Sequence, residues 1–169
     1  MIINQRTADA MNDQIQSEFQ ASSQYVAMAI YFDEQGLPDL AQFFYRQAEE
    51  EREHAMKFVQ FLLETGAKPL IPAVPDVRNE FEDAADVVQT ALDQELMVTD
   101  QINNLVRIAV EENDFTSNNF LQWFVEEQVE EVDSFNTLLQ TIQHAAGNML
   151  FVEDFVRRTV PHAAEGEVE

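Results

Sequence analysis

Gly66-Ala67-Lys68-Pro69-Leu70-Ile71-Pro72-Ala73-Val74-Pro75-Asp76-Val77-Arg78-Asn79-Glu80-Phe81-Glu82 separates two long helical patterns, and its length decides how the chain folds. A turn between antiparallel helices needs far fewer than these 17 residues. With three prolines along it, a polyproline-like path at roughly 3.1 Å per residue covers about 50 Å. That is enough to run the length of a helical bundle, so the helix after it is predicted to start parallel to the helix before it. The expectation is an all-α fold: a four-helix bundle with one long crossover between helices 2 and 3, not four up-and-down helices.

Gly and Pro are scarce elsewhere and mark the remaining breaks. The first helix is predicted from about Thr7 to Gln35, stopping at Gly36. The second opens on Pro38, a favourable first helical position, and ends near Thr65, with Gly66 closing it. The third covers about Asp83 to Glu112. After an Asn113-Asp114-Phe115 turn, the fourth is expected to start with Thr116 as N-cap and to end at Gly147. Apolar spacing, with Arg157 and Arg158 where cations suit the helix dipole, predicts a short fifth C-terminal helix over Met149 to Arg158. Residues 1–160 thus form one domain, and residues 161–169 an acidic flexible tail.

Positions alternately four and three apart pick out one stripe per long helix. The first reads Met11, Ile15, Glu18, Ser22, Tyr25, Ala29, Phe32, and the second Leu40, Phe44, Gln47, Glu51, His54, Phe58, Phe61. The third reads Val88, Leu92, Glu95, Thr99, Ile102, Val106, Ala109, and the fourth Ser117, Leu121, Phe124, Gln128, Glu131, Phe135, Leu138, Ile142. At 1.5 Å per residue each helix is about 42 Å long or slightly more. The halves match at an offset of 77 residues: Glu18 to Glu51 spans 33, as does Glu95 to Gln128, and Glu131 is the counterpart of His54.

Burying an unpaired carboxylate costs several kcal/mol, so four mid-helix acids in apolar stripes need a common explanation. Glu18, Glu51, Glu95 and Glu131 are expected to converge at one level with His54 and Gln128, with almost no basic residue to neutralise them. A metal supplies the missing charge. Carboxylate and imidazole ligands without thiolate suit iron or manganese, with zinc also compatible, and Glu51 and His54 at i, i+3 leave one helix turn in the same direction. The pattern follows the dinuclear carboxylate bundles built on Glu-x-x-His, with Gln128-x-x-Glu131 replacing the second copy. A single such motif is common by chance; four acids with matched spacing are not. Glu50, Glu127 and Glu130 fit either an adjacent, weaker metal site or solvated helix faces. Tyr25, two turns from Glu18, fits either a partner or electron donor of the centre or a core tyrosine with a satisfied hydroxyl. Trp123 reads as core or interface, and His144 and His162 as surface residues.

The composition agrees with a cation-handling protein. Asp and Glu number 32 against 9 Lys and Arg, a formal charge of -23, which disfavours nucleic acid and anionic membrane surfaces as partners and concentrates cations. Hydrophobic residues at 46%, 13 of them Phe, are enough to build a core. The absence of Cys removes thiolate ligands, iron–sulfur clusters and disulfides, and fits a reducing compartment, so a cytoplasmic location is expected. The longest apolar run, Tyr25 to Phe32, is too short to span a bilayer, and no secretion signal is read at the N-terminus.

Taken together, Tyr25, the segment Tyr45-x-x-Ala48-x-Glu50-Glu51-x-x-His54-Ala55, Glu95 and Gln122-Trp123-Phe124-Val125-Glu126-Glu127-Gln128-Val129-Glu130-Glu131 make the sequence resemble the non-haem bacterial ferritins over nearly its whole length. The resemblance implies a subunit of a homomeric shell of twenty-four copies that stores iron, a ferroxidase oxidising Fe(II) with dioxygen or hydrogen peroxide at a diiron centre. It implies that Glu18, Glu51 and His54 hold the first iron, with Glu51 bridging, and that Glu95 and Glu131 hold the second, with Gln128 beside it. It further implies a third iron at Glu50, Glu127, Glu130 and Glu131, and Tyr25 and Trp123 as nearby electron donors. Bacterioferritins carry a haem-binding Met directly after the second-helix Glu; Arg52 stands there, so haem is not expected. Animal ferritins place two channel carboxylates early in the fourth helix, where this chain has Asn118 and Leu121. A rubrerythrin-type peroxidase would need a Cys-ligated iron domain, and a DNA-protecting mini-ferritin would hold its metals between subunits, which an intrachain cluster opposes. A helical assembly protein with vestigial acids predicts instead that the metal-free chain binds no iron.

Overall fold

The computed structural model describes residues 1–159, and in them the chain forms five helices: α1 (Gln5–Glu34), α2 (Pro38–Glu64), α3 (Ala84–Glu111), α4 (Phe115–Ala145) and α5 (Met149–Thr159). No strand occurs among the described residues. The expected tail, 161–169, and His162 lie outside them. The breaks fall where Gly and Pro placed them. Gly66 adopts φ +77°, and a Cβ there would lie 3.3 Å from the backbone of Met1, whose neighbour Ile2 donates its N–H to Thr65 O at 2.9 Å. Two ends differ from the sequence reading. α1 begins two residues early because the Asn4 side chain accepts from Arg6 N. α4 is capped by Asp114, not Thr116: Asp114 Oδ1 accepts from Ser117 N at 3.0 Å, and its Oδ2 takes the Ser117 hydroxyl and Asn4 N–H, each at 2.9 Å. A carboxylate accepts more strongly than a hydroxyl at this position and also suits the positive helix end. Leu121 lies fully buried in the core, so α4 presents no channel carboxylate there.

α1 packs mainly on α2, and α3 on α4. The apolar stripes form two blocks. One joins the end of α1 (Phe32), the starts of α2 (Leu40, Phe44) and α3 (Val88), and the end of α4 (Phe135, Ile142). The other joins the opposite ends: Met11, Phe58, Leu62, Ile102, Leu121 and Phe124. α2 and α3 therefore run parallel, as the long crossover requires. Amides spaced along α1 grip the crossover: Asn12 Oδ1 accepts from Leu70 N at 2.7 Å, Gln16 Nε2 donates to Ala73 O at 2.7 Å, and Gln24 exchanges two bonds with the Arg78 backbone at 2.7 and 2.8 Å. α5 lies against α2 and α4, with Val152 and Val156 in the first block. The stripe acids fill the level between the two apolar blocks.

Candidate metal centre

Four helices each bring one or two polar groups to this level, because the four-three spacing keeps a single stripe facing inward along nearly the full helix length. Glu18 from α1 and Glu51 and His54 from α2 converge: one ligand atom from each lies within 4.8 Å of the others, and all three residues are buried. His54 Nδ1 is 3.3 Å from Glu51 Oε2. Glu18 Oε2 and Glu51 Oε1 are buried with no hydrogen-bond partner. Orphaned carboxylate oxygens on neighbouring buried side chains are costly in a protein interior, and a di- or trivalent cation relieves that cost.

The α3/α4 half supplies the remaining groups. Glu95 is fully buried; Tyr25 donates its hydroxyl to Glu95 Oε1, and Gln128 Nε2 donates to Glu95 Oε2 at 3.1 Å. Tyr25 is thus bonded to the cluster and also packed in the core, its ring stacked on Phe135 at 5.6 Å. Glu131 Oε2 accepts from Gln47 Nε2 at 2.8 Å, and Glu18 Oε1 from Gln14 Nε2 at 2.9 Å. Gln47 stood in the stripe without an assigned role; Gln14 lies off the stripe, and its contact had no signal in the spacing.

The electrostatics are those of carboxyls crowded out of water. Desolvation first, and then the neighbouring Glu51 charge, holds Glu18 well above the ordinary carboxylate range. Glu51 is raised well above it by burial and then by Glu95. Burial likewise raises Glu95, although the Tyr25 and Gln128 donors offset part of the rise. Glu131 is pushed up to about 8 by burial and by Glu95. The Tyr25 hydroxyl is raised well above its usual value by burial and the Glu95 charge.

Next to this cluster a cleft of about 580 Å³ opens between α2, α4 and α5. Glu50, Glu127, Glu130 and Glu131 all line it, so the structure brings the three acids that sequence alone left as site or surface together with Glu131 of the buried cluster. Partial desolvation raises Glu50. Trp123 meets His54 edge-on at 5.4 Å, keeps an exposed edge, and carries the Lys57 ammonium over its ring at 4.4 Å. Arg52 is exposed and paired with Glu49 at 3.2 Å, and His144 is exposed.

The family profile described as the ferritin-like domain matches residues 8–145. The chain belongs to the ferritin family. Among its relatives, ferritin BfrB of Mycobacterium tuberculosis is 46% identical over 167 residues, covering 94% of this chain and 92% of that protein. The bacterial non-heme ferritin of Staphylococcus saprophyticus is 35% identical over 136 residues, covering 80% and 81%. Among solved structures, the open pore ferritin of the archaeon Archaeoglobus fulgidus superposes with a TM-score of 0.90 at 30% identity, covering 95% of this chain and 99% of that one. The ferritin bundle with its short C-terminal helix is therefore this chain's fold. No helix of the described residues is long and apolar enough to cross a membrane.

Proposed function

We propose that this ferritin stores iron, oxidising Fe(II) at a diiron centre within each subunit and keeping the Fe(III) product as a mineral inside a homomeric shell of twenty-four copies. The observation that carries the reading is the buried Glu18, Glu51 and His54 triplet with two orphaned carboxylate oxygens. In this reading residues 1–160 are the diiron domain. Glu18, Glu51 and His54 take the first Fe(II), and Glu95 and Glu131 the second. Glu51 bridges, which fits a carboxyl that feels both Glu18 of its own hairpin and Glu95 and Glu131 of the other. Burial raises these carboxyls toward their protonated forms while the site is metal-free, so Fe(II) binding displaces protons. Hard anionic ligands then favour the ferric state, so oxidation by dioxygen or hydrogen peroxide is helped. Gln128 is an uncharged neighbour to the second iron, and a site weaker there lets product leave.

Glu50, Glu127, Glu130 and Glu131 form a third iron position in the adjoining cleft, a first stop outside the buried centre. In this reading Tyr25 and Trp123 donate electrons, which the bond of Tyr25 to Glu95 and the contact of Trp123 with His54 support. No haem is expected. The deciding experiment loads metal-free protein in air with Fe(II) in large excess over the proposed sites and measures iron and protein across a sizing column. Iron far above the number of ligand positions, eluting with a very large assembly, is the expected result. A few irons per chain on a small oligomer would indicate a di-iron enzyme that keeps its metal.

A further inference from the structure

α2 opens without a cap of its own, since Leu37 stands at the N-cap position and makes no side-chain cap bond. The acceptors come from α5. Glu153 Oε1 accepts from Asp39 N at 3.1 Å and Oε2 from Leu40 N at 2.7 Å. Glu153 is 4% exposed, and a buried carboxylate is tolerated there because it meets two otherwise unpaired N–H groups at the positive end of α2. Outside it, Arg157 donates from Nε and Nη2 to Asp39 Oδ2 at 3.0 and 2.9 Å. These ties and the buried Val152 and Val156 fix how α5 lies. That orientation makes Phe155, Val156 and Thr159 one wall of the cleft that holds Glu50, Glu127 and Glu130.

We propose that Glu153 is a positioning residue for the third metal position: by tying α5 to the start of α2 it sets the wall of the carboxylate cleft, and so how tightly the cleft holds a divalent cation next to the buried centre. The proposal rests on the reading of Glu50, Glu127 and Glu130 as metal-binding. The physical link is water exclusion. With the wall in place one side of the cleft is closed to water, although Glu127 is only half-buried and Glu50 and Glu130 stay exposed; with α5 displaced, that side opens and the attraction of the acids for a cation becomes weaker and more strongly salt-screened.

The test is anaerobic Fe(II) titration calorimetry on the assembled protein, beside initial aerobic oxidation rates and melting curves. Glu153→Gln replaces one acceptor by an NH2 that cannot accept from the α2 backbone. Thr159→Arg, at an exposed position in the last turn of α5, leaves the ties intact and sets a cation in the cleft. Both variants are expected to bind the third Fe(II) about tenfold more weakly, Thr159→Arg through the unit charge that it adds beside the acids and Glu153→Gln through the loosened wall. The first two irons and the initial oxidation rate should be unchanged. A lower melting point with unchanged third-iron affinity would make Glu153 a cap only and overturn the proposal. If the unsubstituted protein binds no third Fe(II), the reading of the cleft itself fails and the proposal with it. Should Glu153→Gln not assemble, Arg157→Gln tests the tie from outside, and unchanged third-iron affinity there is the overturning result.

Discussion

At the scale of single residues, the proposed centre is a set of acids at which protons and metal would compete for the same oxygens. His54 is its one imidazole among the described residues, so His54→Ala should slow initial aerobic Fe(II) oxidation by at least about tenfold, as loss of a metal-site group typically does, with the assembly intact on a sizing column. An unchanged rate would place the centre elsewhere. Glu131 gives a pH signature. Its carboxyl is raised from 4.5 to about 8 in the fold, so the folded metal-free protein binds more protons than the unfolded chain between those values. That contribution to stability is whole below the unfolded pKa and is lost as pH rises through the folded one, each pH step of one between them weakening the fold by about 1.4 kcal/mol. The melting point of metal-free protein should fall from about pH 5 to about pH 8, and Glu131→Gln should flatten that fall. Equal slopes in the two proteins would show that Glu131 is not the group responsible.

At the scale of elements, caps from distant parts of the chain matter as much as the helices' own residues. Asp114 caps α4 and also receives the N–H of Asn4, where α1 begins. Asp114→Ala should therefore cost about 2 kcal/mol, the upper range for a lost cap, seen as a lower midpoint in denaturant at fixed protein concentration. The helices themselves were legible because Gly36, Pro38, Gly66 and Gly147 stand at or next to their ends. The stripe acids were legible because a carboxylate at an inward position has no bland explanation when it recurs in four helices. The caps were less so: Asp114 was hidden in what reads as a turn, and only its bond to Ser117 separates it from Thr116. Gln14, off the stripe, and Glu153, bonded to residues more than 110 positions away, depend on tertiary placement that no local pattern encodes. The cleft acids belong to the same class, since exposed and site-lining glutamates share one helical spacing.

At the scale of the whole molecule, the charge of -23 is a field that every Fe(II) ion must cross. Initial uptake should slow several-fold as salt is raised from about 0.05 M to about 0.5 M, over which the screening length falls well below 10 Å. A rate independent of salt would mean that the charge serves solubility or habitat and not delivery. The parallel run of α2 and α3 has a consequence for how the molecule comes together. The crossover joins two hairpins, α1/α2 and α3/α4, and each carries only part of the cluster: Glu18, Glu51 and His54 on one, Glu95, Gln128 and Glu131 on the other. Either hairpin can form its own helical contacts first, but the complete set of proposed ligands exists only after the two halves have met. Full metal affinity is then a signal of docking between hairpins, which separates in time from the appearance of helix during refolding.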